Sequence, residues 1–435
     1  MKQLKNRGAK PAPGQFAIVA GAGRSGIAAA RLLRKLGTRV RLVDNNPDAL
    51  SANDFSDLNN IGIEVVLGNQ DSANFENASL IVTSPGFPIR KLHELLLDTS
   101  SIQPEIISET ELAWRCLDDE PVLAVTGTSG KTTTVSLAAA MLETQGLNVF
   151  LGGNIGTPLS EYILGNNNAD VLVLEVSSFQ LQGCNSFSPD VAVLLNITPN
   201  HLDYHKDMRE YADAKMNILR YQCDKDHAIL GSNVKEYLGE FKPAANMSWL
   251  EETCCFNRCK LLGKHNQANI EAAWKACSIM GVQKDNAARA VANFSPLPHR
   301  LELVGEIDGT TFINDSKCTT VSSLKVALSS FERPIRLLCG GKYKGGDLAA
   351  LRNIVKEKVR EVALFGASRE VFEKAWEGLV PMHWHSDLES AMLALNKTKK
   401  TRDVILLSPA TSSFDQYANY EKRGEDFKSI FLKLK

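Results

Sequence analysis

Short apolar runs recur along the chain, each bounded by glycine, proline or a polar cluster and followed by a longer stretch with helical spacing. The first, Phe16–Ala20, runs into Gly21-Ala22-Gly23-Arg24-Ser25-Gly26, and the residues beyond predict a helix through Leu36. A second strand is predicted over 40–43, ending at Asp44. The same pattern returns at 122–125, 171–176 and 191–196, and again at 311–314, 335–339, 362–365 and 404–408. Strands alternating with helices are the mark of parallel sheets covered by helices.

Two stretches break this rhythm. A helix beginning near Ser108 must stop before Asp118-Asp119-Glu120-Pro121, because proline disfavours helix in the residue preceding it. Ser295-Pro296-Leu297-Pro298 forms a stiff hinge. The chain therefore reads as three α/β domains. A Rossmann-like N-terminal domain spans 1–119, a central P-loop NTPase-like domain with a parallel sheet spans 120–298, and a Rossmann-like C-terminal domain spans 299–435.

Composition narrows the function classes. With 44% hydrophobic and 23% charged residues in 435, the chain has the balance of a water-soluble globular protein. A net charge of −1 gives no global pull towards nucleic acid or an anionic membrane. The basic N-terminus lacks the apolar core of a signal peptide, and no stretch reaches the roughly 18 apolar residues of a membrane span. A cytoplasmic monomer acting on small molecules is expected. Nine cysteines without a secretory signal point to reduced thiols. Cys254, Cys255, Cys259 and His265 lack CxxC spacing and make a weak zinc candidate.

The clearest chemistry follows the strand at 122–125. Gly127-Thr128-Ser129-Gly130-Lys131-Thr132-Thr133 joins that strand to a predicted helix from Lys131 to about Gln145. Glycines there let backbone N–H groups close around phosphate oxygens, while the lysine adds charge and Thr132 offers a hydroxyl to Mg²⁺. The usual pattern would put its first glycine at Val125; here it comes at Gly127. Glu175, ending the run at 171–174 and followed by Ser177, Ser178 and Gln180, is the expected carboxylate partner of the metal. His201 and His205 have i, i+4 spacing, but Pro199 and Asn200 just before them predict a loop rather than a helical zinc pair. Lys215 falls on the next helix, where composition alone makes it a surface lysine.

These residues resemble the motifs of the Mur ligases of bacterial cell-wall synthesis, within the wider group that includes folylpolyglutamate synthetase. Gly127 to Thr133, Gly152-Gly-Asn-Ile-Gly156, Glu175-Val-Ser-Ser-Phe-Gln180, Asn196-Ile-Thr-Pro-Asn-His-Leu-Asp203 and Asn314-Asp-Ser-Lys317 follow that family's order. Leu297-Pro-His-Arg-Leu-Glu302 and the tail from Ser408 to Gly424 are similar to the branch whose incoming amino acid is D-glutamate.

The resemblance implies an ATP- and Mg²⁺-dependent ligase joining D-glutamate to UDP-N-acetylmuramoyl-L-alanine through an acyl phosphate. Gly23, Arg24, Ser25, Gly26, Asp44 and Asn45 match positions on the UDP side of that precursor, and Asn154, Ser177 and Gln180 its reacting end. Gly127 to Thr133 match the ATP loop, with Lys131 also catalytic; His265, Asn266 and Asn269 match the adenine-side segment. Arg300, Asp315 and Lys344 match nucleotide contacts made on domain closure. Thr132, Glu175, His201 and Lys215, the last as a carbamate, match metal ligands. Lys317, Ser413 and Tyr420 match the D-glutamate pocket. Three departures stand out: Asn200 where aspartate is common, Cys318-Thr319-Thr320 after Lys317, and Tyr420 in place of phenylalanine.

Other readings compete. Gly21-x-Gly23-x-x-Gly26 with Asp44 about 20 residues on is a dinucleotide fingerprint, which suggests a nicotinamide oxidoreductase. That reading leaves the loop at Gly127 unexplained, and a UDP-sugar can use the same turn. A sibling ligase adding another amino acid, and a non-catalytic nucleotide switch, remain further alternatives.

Overall fold

A computed structural model of the chain describes residues 5–97, 103–165, 168–202, 204–251, 256, 259, 261 and 263–435. It contains three sheets. In the first, β1 (Phe16–Ala20), β2 (Arg39–Asp44), β3 (Ile63–Leu67), β4 (Leu80–Thr83) and β5 (Glu105–Ser108) lie in the order β3-β2-β1-β4-β5, all parallel. In the second, β6 (Val122–Thr126), β7 (Val149–Gly153), β8 (Val171–Glu175), β9 (Val191–Leu194), β10 (His227–Leu230) and β11 (Asn246–Trp249) are ordered β11-β10-β9-β6-β8-β7, again all parallel.

The third sheet is mixed. It is built from β12 (Glu302–Ile307), β13 (Thr310–Asn314), β14 (Ile335–Gly340), β15 (Val359–Phe365), β16 (Met382–His385) and β17 (Val404–Leu407), ordered β12-β13-β17-β14-β15-β16. The β12–β13 pair is antiparallel, closed by Asp308-Gly309 with both residues at positive φ, and the other pairs are parallel. Central strands such as β4, β6, β9, β14 and β17 are buried along their whole length, as expected where helices cover both faces.

The chain separates into two compact units, 1–256 with 268–291, and 257–267 with 292–435. The first two sheets share one unit, and charged groups are buried where they meet. The helix Glu109–Cys116 leaves the first sheet and is buried on all sides. From it Arg115 reaches Glu111 at 3.0 Å, Glu105 at 2.6 Å and Asn185 of the second domain at 2.7 Å. Glu111 also accepts from the Ser186 hydroxyl, and Glu109 from the Ser160 amide at 2.7 Å. The N-terminal segment lies across the same seam: Lys5 pairs with Asp226 at 2.7 Å, and Arg7 stacks over the Trp114 ring. Among the described residues, no helix is long and apolar enough to cross a membrane.

Candidate active site

In open parallel sheets ligands bind beyond the carboxyl ends of the strands, where the strand order reverses. In the first sheet that point lies between β1 and β4. The turn after β1 closes on Gly26, where a side chain would put its Cβ 1.8 Å from the Gly21 carbonyl oxygen, so only glycine fits. Gly23 caps the helix Arg24–Lys35, placing Arg24, Ser25 and Gly26 in its first turn. Asp44, at the end of β2, accepts from the Ala22 amide at 2.7 Å and the Asn46 amide at 2.8 Å, and Asn45 follows it exposed. Gly23 to Gly26, Asp44 and Asn45 thus sit at one sheet edge with open backbone donors.

The second sheet reverses at β6, and the loop after β6 lies there. Gly127 to Gly130 turn into the helix Lys131–Thr144 with Gly130 left-handed at φ 87°. A Cβ on Gly130 would lie 2.3 Å from Asn269 Oδ1, so Asn269, on the helix Lys264–Ile279, packs directly on the loop. The Asn196 side chain, just past β9, braces it from the other side. It accepts from the Ser129 amide at 2.9 Å and donates to the Ser129 carbonyl at 3.1 Å. Tyr211 and Thr128 hydroxyls meet at 3.0 Å. Two lysines converge on the same carbonyl, since Lys131 and Lys215 donate to Gly127 O at 3.0 and 2.9 Å.

Glu175 ends β8 opposite Val125 of β6, level with the loop. It is 3% exposed, accepting from Thr132 Oγ1 at 2.7 Å and from Asn154 Nδ2 at 2.9 Å. Thr133 follows Thr132 in the first turn of the helix. Lys215 is not the surface lysine its composition suggests: it is 2% exposed, because its helix Met208–Arg220 turns that face to the sheet. Burial, helped by the Lys131 charge and opposed by Glu175, pushes its pKa well below the usual lysine value.

Ser177 and Gln180 form a reciprocal capping box at the helix Ser178–Gln182, which aims a buried Gln180 Nε2 that has no hydrogen-bond partner. His201 stands in a tight turn with φ 55°, its carbonyl accepting from the amides of Tyr204 and His205. The loop predicted there is what the structure contains. His205 is buried, its Nε2 3.0 Å from Ser178 Oγ. The Cys254 and Cys255 pair of the zinc candidate lies outside the described residues, as does Asp203.

In the second unit, Asp315 and Lys317 follow β13, and Ser413 and Tyr420 follow β17, the neighbouring strand. Buried Arg423 ties the two loops together. It donates to Ser316 O at 2.9 Å, Ser316 Oγ at 3.0 Å and Thr411 O at 3.1 Å. Lys317 Nζ lies 3.7 Å from the Tyr420 ring centroid, and Lys344 Nζ 5.7 Å from that of Phe414. Ser413 is buried, and Arg300 follows His299 in a turn whose neighbours His299 and Leu301 both have positive φ. Asp315 accepts from Ser408 Oγ at 2.8 Å and the Leu301 amide at 3.2 Å, yet burial raises its pKa to about 7. His265 faces Ser330 at 3.4 Å, with Asn266 buried beside it.

Lys131, Thr132, Asn154, Glu175 and Lys215 are therefore brought together around the loop, and Lys317, Ser413 and Tyr420 share the edge of β13 and β17. Asn196, Tyr211, Phe179, Tyr204 and Arg423 do not stand out as site residues in the sequence. Asn196 opens one of the family-like motifs, which is signal enough to find it; Arg423 looks like one more charge in a helix.

A phosphate loop with an acidic partner at a switch point, beside a glycine turn in a second parallel sheet, defines an α/β nucleotide-binding protein. Comparison with known proteins carries this further. The chain matches the Mur ligase MurD-like N-terminal domain over residues 15–102, the Mur ligase middle domain over 125–252 and the Mur ligase glutamate ligase domain over 299–411. It is 57% identical over 432 residues to the UDP-N-acetylmuramoylalanine--D-glutamate ligase of Desulfovibrio desulfuricans, covering 99% of both chains. It is 52% identical to the protein of the same name from Nitratidesulfovibrio vulgaris strain DP4, covering 99% of this chain and 98% of that one. Among solved structures, a MurF ligase from Thermotoga maritima in complex with ADP shares the fold with a TM-score of 0.61 at 19% identity, over 91% of this chain and 96% of that one. The chain belongs to the Mur ligase family.

Proposed function

We propose that the protein is an ATP-dependent acid–amino-acid ligase that joins D-glutamate to UDP-N-acetylmuramoyl-L-alanine, a step in making peptidoglycan precursors. The observation that carries this is the meeting of Lys131 and buried Lys215 on Gly127 O beside the bonded pair Thr132 and Glu175, in a chain so similar to ligases of that name. A carboxylate cannot form an amide directly, because oxide does not leave. Phosphorylation of the precursor's carboxylate by ATP supplies a leaving group, and the amine of D-glutamate then displaces phosphate.

Each residue has a task in this. The loop amides from Gly130 to Thr132 and the Lys131 ammonium hold the phosphates and offset charge as it builds on the transferred group, while the Thr128 and Ser129 amides, bonded to Asn196, fix the loop's shape. Gln180 Nε2, buried without a partner, and Asn154 stand ready to orient the precursor's reacting end. The glycine turn with Arg24, Ser25, Asp44 and Asn45 takes the UDP group. Asn269, packed on Gly130, with His265 and Asn266, serves the adenine side. Arg300, Asp315 and Lys344 contact the nucleotide, and Lys317, Ser413 and Tyr420 receive D-glutamate.

The residues also suit magnesium. Glu175 is a buried carboxylate held by neutral donors, and Thr132 adds a hydroxyl, giving the oxygen set that ion prefers. Thr132 would hold one ion at the ATP phosphates and Glu175, His201 and Lys215 a second, where they would neutralise phosphate charge. The suppressed pKa of Lys215 favours the neutral amine, which captures carbon dioxide as a carbamate, losing a proton and gaining a negative oxygen pair. On this reading the protein acts as a monomer in the cytoplasm, where the nucleotide-linked precursor and ATP are found.

The test is to combine protein, ATP, magnesium, UDP-N-acetylmuramoyl-L-alanine and D-glutamate. Phosphate release that requires both acceptor and amino acid is expected. Release with L-alanine or a diamino acid instead would redirect the reading to a sibling ligase.

A further inference from the structure

His201 sits on a single turn of chain, and the structure shows what fixes that turn. Phe179, on the helix directly after Glu175, has its ring 4.9 Å from His201, 4.2 Å from Tyr204 and 5.6 Å from His205. From this aromatic group the Tyr204 hydroxyl reaches out of the second domain and donates to Phe87 O at 3.2 Å.

Phe87 belongs to the loop that follows β4. That loop lies directly under the glycine turn of the first sheet. Ser84 donates from its amide to Ala20 O at 2.9 Å, Phe87 donates back to Ser84 O at 3.0 Å, and a Cβ on Gly21 would lie 2.4 Å from Ser84 Oγ. A continuous line of contacts therefore runs from the glycine turn through Ser84 and Phe87 to Tyr204, and on to Phe179 and His201. Close-packed interiors have low compressibility, so a shift at one end of such a line is felt by its neighbours.

We propose that Tyr204 is a positioning residue that couples occupancy of the first-sheet glycine turn to the placement of His201. This rests on the reading above, in which that turn takes the UDP group and His201 serves the reaction. Binding at the turn tightens the 84–87 loop, and Tyr204 carries that order to the His201 turn. The uridylyl group, remote from the bond being made, would thereby contribute to turnover and not to affinity alone.

Tyr204→Phe keeps the ring against Phe179 and removes one hydroxyl. The Tyr204 and His205 amides, both bonded to His201 O, report the order of the turn by hydrogen exchange. In the unaltered protein, UDP alone is expected to slow their exchange; in Tyr204→Phe it should bind with similar affinity and leave them unchanged. Equal protection in both proteins, or none in either, would overturn the coupling. In the full ligation assay the variant should lose about fivefold in kcat with KM for ATP unchanged, the size of one hydrogen bond. An unaltered kcat would refute a role in catalysis. If the unaltered protein fails to ligate D-glutamate at all, the functional reading falls while the exchange measurement still decides the coupling.

Discussion

Asp315 carries a carboxyl that burial holds protonated up to about pH 7, and replacing it by asparagine should change how stability depends on pH. In the unfolded chain the group ionises near pH 4, by the ordinary value of an aspartate, so "about 4" is its reference point. Between these values the folded state binds the extra proton, so its stabilising effect is complete below about pH 4 and is lost as pH rises through 7. A rise from about 4 to about 7 corresponds to about 4 kcal/mol, of which roughly 2–3 kcal/mol falls between pH 5 and 8. Asp315→Asn cannot release a proton, so the difference between the two proteins isolates this group from every other acid in the chain. Hydrogen exchange at the amides of β13 and β17, which flank Asp315 and Ser408, measures opening of the second unit. The unaltered protein should lose stability relative to Asp315→Asn by that amount from pH 5 to 8. The opposite slope would mean that Ser408, the Leu301 amide and Arg300 outweigh burial, and would refute the reasoning.

Glu175→Gln keeps the shape and a hydrogen-bond acceptor for Thr132 but removes the charge; turnover should fall by at least about 100-fold and need more magnesium, and near-normal turnover would remove Glu175 from the metal site. Gly130→Ala places a methyl group on Asn269 Oδ1 at positive φ, so ATP affinity by calorimetry should collapse and return in part with Asn269→Ala added; undiminished binding would unseat the phosphate-loop reading. Arg115→Met strands the fully buried Glu111 and should cost about 3–5 kcal/mol in urea unfolding, with partial recovery when Glu111→Gln is added. A loss below about 1 kcal/mol would show that the seam between the first two sheets does not depend on this pair.

Much of the architecture was legible because the central strands are continuously apolar. β1, β6, β8, β14 and β17 announce themselves in this way, and the glycine turns after β1 and β6 carry their own punctuation. Less visible were strands whose residues are shared with motifs or are polar. Val149–Gly153 ends in the two glycines of a motif, and Met382–His385 contains two histidines and an exposed tryptophan at a sheet edge, where nothing requires an apolar run. The antiparallel pairing of β12 with β13 depends on the left-handed Asp308-Gly309 turn, which the alternation of strands and helices does not announce.

At the site the limit was different in kind. The loop lysine and its threonine are local, since strand, turn and helix are contiguous in sequence; Glu175, 43 residues beyond Thr132, was legible because it ends the apolar run of a neighbouring parallel strand. Lys215 could not be read this way. Eighty-eight residues separate it from the carbonyl it meets, and its burial comes from the face that one helix presents to the second sheet. That burial is the property a carbamate needs, since an exposed ammonium would hold its proton and leave no lone pair for carbon dioxide. Tyr204 shows the same principle one step further out: a phenol in a polar loop acquires meaning from Phe87, 117 residues away in another sheet's loop. Residues of the glycine loop after β6 are thus fixed by the element they sit on, whereas Lys215 and Tyr204 are fixed by packing between elements. A test of the second group must therefore remove single contacts, as Tyr204→Phe does, and leave the elements themselves in place.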